Sequence, residues 1–196
     1  MNSALLVVDA QESFRQREDW AAVSDPDVAD KINALVGLAR SQGDLVVWVL
    51  HTEPGSGGVF DPASGFVRLL PGLSVTEGEP LLTKTAHNAF TTTNLQQRLT
   101  QHRVGEVVVS GIRTEQCCET TARVASDLGL DVTFVTDATA TMPLADPRAE
   151  AGRPYRQVLA DPRTLSTAEV MQRTEYALAG RFARVCSVAE LVGTRA

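Results

Sequence analysis

Val107-Val108-Val109-Ser110-Gly111-Ile112-Arg113-Thr114-Glu115-Gln116-Cys117-Cys118 reads as a buried strand that runs into a glycine turn and then into the first turn of a helix. Three consecutive valines suit a strand of a parallel sheet covered on both faces. Thr114 is placed as the N-cap of a helix expected over 115 to 128, with Cys117 at about its third helical position. There, unpaired backbone N–H groups and the positive end of the helix dipole favour a thiolate. A strand-turn-helix elbow of this kind presents a nucleophile. The plainer reading makes Cys117 and Cys118 small buried hydrophobes on a core helix.

Outward from that elbow, short β-branched runs alternate with amphipathic stretches, as repeated βαβ units require. Strands are expected at 4 to 9, 45 to 50, 105 to 110, 131 to 136 and 182 to 186, with a further short one at Leu81-Leu82. Helices are expected near 26 to 41, 93 to 102, 115 to 128, 167 to 180 and 187 to 192. Asp25-Pro26 suits an N-cap and first turn, Ser166-x-x-Glu169 and Ser187-x-x-Glu190 have capping-box spacing, and Gly129 is a helix stop. The pattern predicts an α/β fold: a three-layer α/β/α sandwich around a central, mostly parallel, Rossmann-like sheet. Two stretches stay outside it, the Gly- and Pro-rich 51 to 82 and the Pro- and Arg-bearing 142 to 165. Long loops in compact domains are often lids or binding loops, and here both can lie at the carboxyl edge of the sheet.

The chain has 196 residues, 43% hydrophobic and 21% charged, which predicts one globular domain over residues 1–196. A net charge of −6 with scattered Lys and Arg excludes a nucleic-acid footprint. No apolar run approaches the ~18 residues of a membrane span, so no membrane partner is expected. Residues 4 to 8 lack the basic flank and length of a signal peptide. Three cysteines, two of them adjacent, argue against a disulfide framework and for a reducing, cytoplasmic setting.

Two further residues could work with the thiol. Asp9 closes the first apolar run, so its carboxylate should emerge at the same sheet edge as Cys117 and could accept a proton there; alone, it also reads as a turn residue. Lys84 follows Leu81-Leu82-Thr83 and, alone, reads as a surface lysine. Taken together, Asp9-x-Gln11-x-x-Phe14, Lys84 followed by Asn88-Ala89-Phe90, and Gly111-x-x-Thr114-x-x-Cys117 running into Thr121-Ala122 resemble the isochorismatase-like cysteine hydrolases. Asp137-Ala138 and Ser166-x-x-Glu169-Val170 extend the resemblance over nearly the whole chain. Each motif is weak, whereas the ordered set is specific.

The resemblance implies Cys117 as nucleophile, Asp9 as general base and Lys84 as the cation that keeps both charged. It also implies a cis peptide between Ile112 and Arg113, directing the Arg113 and Cys117 N–H groups at an oxyanion. Gln11, Phe14, His51, Asn88, Phe90 and Arg153 are the pocket candidates. No metal or other cofactor is expected, because His51-Thr52-Glu53-Pro54 lacks the Asp-x-His pair of the metal-binding relatives and no second histidine follows before His87. The retained cysteine favours attack on a carbonyl, so the expected activity is hydrolysis of a C–N bond (amide, carbamoyl or lactam) of a small molecule through an acyl-enzyme. This is the chemistry of the amidohydrolase branch that acts on carbamoylsarcosine, nicotinamide, ureidoacrylate and streptothricin. Vinyl ether hydrolysis, as in isochorismatases proper, and a non-catalytic thiol redox or sensor role on the same fold are the alternatives. The arginines of 142 to 165 read first as solvated surface residues, and the sharper alternative is a lid that selects a small anionic amide. By family habit the chain is expected to be a homo-oligomer, dimer or tetramer.

Overall fold

In the computed structural model, which describes residues 2–195, alternate residues of the first strand feed two separate cores. Leu5 and Val7 point to one face, and Ala4, Leu6 and Val8 to the other. Six strands form one sheet: β1 (Asn2–Val8), β2 (Leu45–His51), β3 (Leu81–Lys84), β4 (Val104–Ile112), β5 (Asp131–Ala140) and β6 (Arg184–Cys186). Their order is β3-β2-β1-β4-β5-β6 and every pairing is parallel, so the sheet is fully and not merely mostly parallel.

The helices are α1 (Val28–Gln42), α2 (Leu95–Gln101), α3 (Glu119–Asp127), α4 (Tyr155–Ala160), α5 (Thr167–Leu178) and α6 (Val188–Arg195). Ile32, Leu35 and Val36 of α1 and Leu191 of α6 cover the face of Leu5 and Val7. Leu95 and Leu99 of α2, Ala122 and Ala125 of α3 and Leu178 of α5 cover the other. Three layers result, as the alternating pattern predicted.

Local signals place most boundaries. Ser166 and Glu169 form a reciprocal capping box, and Ser187 and Glu190 exchange the same two bonds. Gly129, at φ +83°, ends α3 as expected. Asp25 is not the cap of α1: the helix starts two residues later with Asp27 at its N-cap, because the Asp25 carboxylate closes a turn on the Asp27 N–H instead. The stretch 142 to 165 contains the unforeseen α4, and 51 to 82 contains a single 3-10 turn, Pro62–Ser64.

Strand order reverses between β1 and β4, the position where open parallel sheets bind ligands beyond their carboxyl ends. Val8 and Gly111 are register partners there. Gly111 has φ +128°, and a Cβ on it would lie 1.8 Å from the Val8 carbonyl oxygen. Glycine is therefore obligatory, and its lack of a side chain brings the end of β1 against the elbow. Asp9 follows at φ +51°, a left-handed conformation that Asp tolerates, with its N–H still bonded to the Val49 carbonyl at 2.8 Å.

Gly111→Ala is expected to lose ~3 kcal/mol or more of stability, or to fail to fold. Gly129→Ala has a positive φ but nothing within 4 Å of the added methyl, and should lose only ~1–2 kcal/mol. Urea unfolding of both variants measures the difference.

Candidate active site

The carboxyl ends of four neighbouring strands deliver the site. Asp9 follows β1, His51 ends β2, Lys84 ends β3, and Cys117 stands in the turn after β4. His51 and Lys84 are register partners across β2 and β3, so their side chains start side by side.

Lys84 is not the surface residue its local sequence suggests: it is 1% exposed and lies among the buried groups. Its ammonium is 2.7 Å from Asp9 Oδ2, 3.5 Å from Cys117 Sγ and 3.4 Å from His51 Nδ1, and it donates to the Ala86 carbonyl at 3.0 Å. The three residues proposed from motif order thus converge. Neither Asp9 oxygen has a hydrogen-bond partner among the described residues, so its contact with Lys84 is an ion pair alone.

Burial dominates the electrostatics. It raises the Asp9 pKa, against the opposing pull of Lys84. Burial and then the Asp9 charge push the Cys117 thiol up to about 12, although Lys84 opposes them. The expectation of a resting thiolate is therefore corrected. Desolvation and the neighbouring carboxylate outweigh the helix end and the ammonium, so the thiol is protonated near neutral pH. Complete burial also raises the Cys118 thiol well above its ordinary value.

The local structure around the thiol also differs from expectation. Thr114–Cys118 is a π-type turn leading into α3, so Cys117 is its fourth residue. Thr114 does not cap it, because its hydroxyl pairs with Thr139 Oγ1 at 2.8 Å and Arg113 occupies the N-cap. The peptide Ile112-Arg113 is cis, at the position the resemblance implied. The Ile112 side chain is fully buried in the core beneath it, while the Arg113 side chain pairs with Asp19.

A cavity of about 250 Å³ opens onto this cluster, lined by Asp9 and Cys117 at its floor and by Phe14, His51, Phe60 and Arg113 among its walls. Two pocket candidates, Phe14 and His51, are in place. Gln11 is not a wall: it is buried and grips the His51 backbone, accepting from its N–H at 2.7 Å and donating to its carbonyl at 3.1 Å. Asn88 instead closes a turn by accepting from the Phe90 and Thr91 N–H groups, and Phe90 belongs to the core under α2.

Arg153 also stands outside the cavity, paired with Asp161 at 2.8 Å and lining a separate hollow with Arg17 and Tyr155. Arg148 and Arg163 are likewise neutralised by Asp146 and Asp161. An anion-selecting arginine lid is thereby removed as a reading, since the acidic residues of the same stretch consume most of its charge. Sequence reading missed Arg17, Glu53, Phe60, His87 and Gln116 in the cavity wall. Gln116, beside the thiol in the turn, had a usable signal, whereas Phe60 sits in a loop without periodicity. Among the described residues, no three His, Cys, Asp or Glu side chains converge to hold a metal ion, and no helix is long and apolar enough to cross a membrane.

A parallel α/β sheet with a cysteine, a carboxylate and an ammonium at its switch point is the arrangement of an isochorismatase-like hydrolase. The Isochorismatase domain family matches residues 3–167. Nicotinamidase 3 of Arabidopsis thaliana is 48% identical over 152 residues, which cover 71% of this chain and 73% of that protein. Streptothricin hydrolase of Streptomyces noursei is 35% identical over 139 residues, 70% of this chain and 49% of that protein. An isochorismatase from Pseudomonas putida superposes with a TM-score of 0.82 at 29% identity, over 96% of this chain and 89% of that one. The chain belongs to the isochorismatase family of hydrolases.

Removing one member of the buried pair should be costly. Lys84→Met is expected to lose ~3–5 kcal/mol, because it leaves Asp9 buried without its counter-charge. The double variant Asp9→Asn/Lys84→Met should lose less than Lys84→Met alone. Urea unfolding at neutral pH checks both.

Proposed function

We propose that this chain is a cysteine-dependent amidohydrolase that cleaves a C–N bond of a small molecule through an acyl-enzyme on Cys117. The observation that supports it is the buried Lys84 ammonium, 2.7 Å from Asp9 and 3.5 Å from Cys117, behind the two residues that line the cavity. Asp9 takes the thiol proton as sulfur attacks the carbonyl carbon, and Lys84 offsets the charge as it forms on sulfur. The N–H groups of Arg113 and Cys117 are assigned to the oxyanion. Asp9 then gives the proton to the leaving nitrogen, and the C–N bond breaks. Water attacks the thioester, Asp9 accepts its proton, the C–S bond breaks, and the proton returns to sulfur.

No step needs a metal, and metal independence is part of the proposal. A redox sensor requires an exposed thiol of lowered pKa, whereas Cys117 and Cys118 are buried and raised. A reducing cytoplasm and a homo-oligomer remain the expected setting and assembly.

Screening small amides, ureides and lactams should find a substrate whose turnover falls ~10⁴-fold or more in Cys117→Ala. Intact-mass spectrometry should then show the acyl adduct in the wild type alone. Protonated Asp9 cannot accept the thiol proton, so kcat/KM should fall as pH drops through the Asp9 pKa. Because that pKa is raised, the acid limb should lie above the ordinary carboxylate value of 3.8. Turnover that survives in Cys117→Ala would refute the assignment.

A further inference from the structure

Lys84 is a donor-only group, since an ammonium has three hydrogens and no lone pair. Its contact with His51 Nδ1 at 3.4 Å makes that ring nitrogen the acceptor. Burial and the adjacent ammonium hold the His51 pKa below its ordinary 6.5, so the ring is neutral near pH 7. A neutral imidazole that accepts at Nδ1 carries its hydrogen on Nε2. Nε2 lies 3.5 Å from Glu53 Oε1.

The ring has little freedom to exchange these roles. Gln11 grips the His51 backbone on both sides. Phe60 meets the imidazole edge to face at 5.6 Å, and Phe14 meets Phe60 in turn at 5.1 Å. Turning the hydrogen onto Nδ1 would set two donors against each other beside Lys84. His51 nevertheless lines the same cavity as Asp9 and Cys117.

We propose that His51 is a specificity-determining residue: its Nε2–H is a fixed donor for an acceptor atom carried beside the scissile carbonyl, such as a second carbonyl oxygen, a carboxylate oxygen or an unprotonated ring nitrogen. Glu53 Oε1 stands 3.5 Å from Nε2 without a hydrogen bond to it, and its side chain, 52% exposed, can withdraw to water when substrate takes the donor. A site built around such a donor rejects analogues without the acceptor, because the N–H would be covered and unpaired. The inference rests on the hydrolase reading only in setting the scissile carbonyl at Cys117.

Two measurements test it. The first is ¹⁵N NMR of histidine-labelled protein near pH 7, with the His51 signals assigned by their loss in His51→Gln. Hydrogen on Nε2 is expected; hydrogen on Nδ1, or an imidazolium, overturns the proposal. The second compares binding of malonamide and butyramide, close in size, with a second carboxamide in the first where the other has an ethyl group, to Cys117→Ala protein. Malonamide should bind about tenfold tighter or better, a gap set by one hydrogen bond to a covered donor, and should move the Nε2–H resonance. His51→Leu in that background should abolish the preference, and His51→Gln, which keeps an N–H donor, should retain part of it. Equal affinities, no detectable malonamide binding, or a preference that survives His51→Leu overturns it. Wild-type turnover of malonamide is followed in parallel. Its absence with the binding preference intact counts against the hydrolase reading and supports the donor assignment.

Discussion

A buried ammonium cannot be left without partners, and the arrangement of this sheet edge follows from that requirement. Lys84 and Asp9 are both almost fully removed from water, where desolvation of two charges costs several kcal/mol each. Their mutual contact, the Ala86 carbonyl and His51 Nδ1 together offset that cost. Of the groups that the ammonium faces, the Cys117 thiol gives it least at rest. It also stands to gain most once it loses its proton.

Convergence of these groups depends on backbone features far less conspicuous than the side chains. Parallel register sets His51 beside Lys84, and Gly111 lets β4 close against Val8, without which Asp9 could not meet the elbow. The left-handed Asp9 then turns the chain out of β1 while its N–H keeps a sheet-like bond. A side-chain triad is in this sense the outcome of strand order. Each member comes from the end of a different strand, and the reversal between β1 and β4 leaves the room for them.

How much of this was legible varied with the kind of signal. Apolar runs such as Val46-Val47-Trp48-Val49 and the serine-glutamate boxes mark elements through short-range physics, and those elements lie within a few residues of where they were read. Asp9, Lys84 and Cys117 were legible only as an ordered set, since Lys84 alone looks like any surface lysine. The pocket wall was the least legible part. Phe60 and Glu53 belong to a loop whose path is set by tertiary contacts, such as the bond from the Glu53 N–H to the Phe60 carbonyl, and no periodicity encodes that path. The lid reading of 142 to 165 fails because a count of arginines omits their partners, Asp146 and Asp161 in the same stretch, whereas the plainer reading of solvated surface arginines fits Arg148 and Arg163.

The thiol's resting state has the largest consequence for chemistry. Moving it from an ordinary 9 to about 12 makes the free thiolate ~4 kcal/mol harder to form. In the proposed mechanism, a nucleophile so penalised stays inactive until an electrophile is aligned with it, when proton transfer to Asp9 and bond formation at carbon proceed together. The same penalty protects Cys117 from oxidants, which attack thiolates, in a cavity that small molecules must enter. Activation by substrate, in place of a standing anion, is what a deeply buried Asp9–Lys84 pair can support: the carboxylate is too desolvated to coexist with a second negative charge, and the ammonium supplies its compensation only as that charge appears.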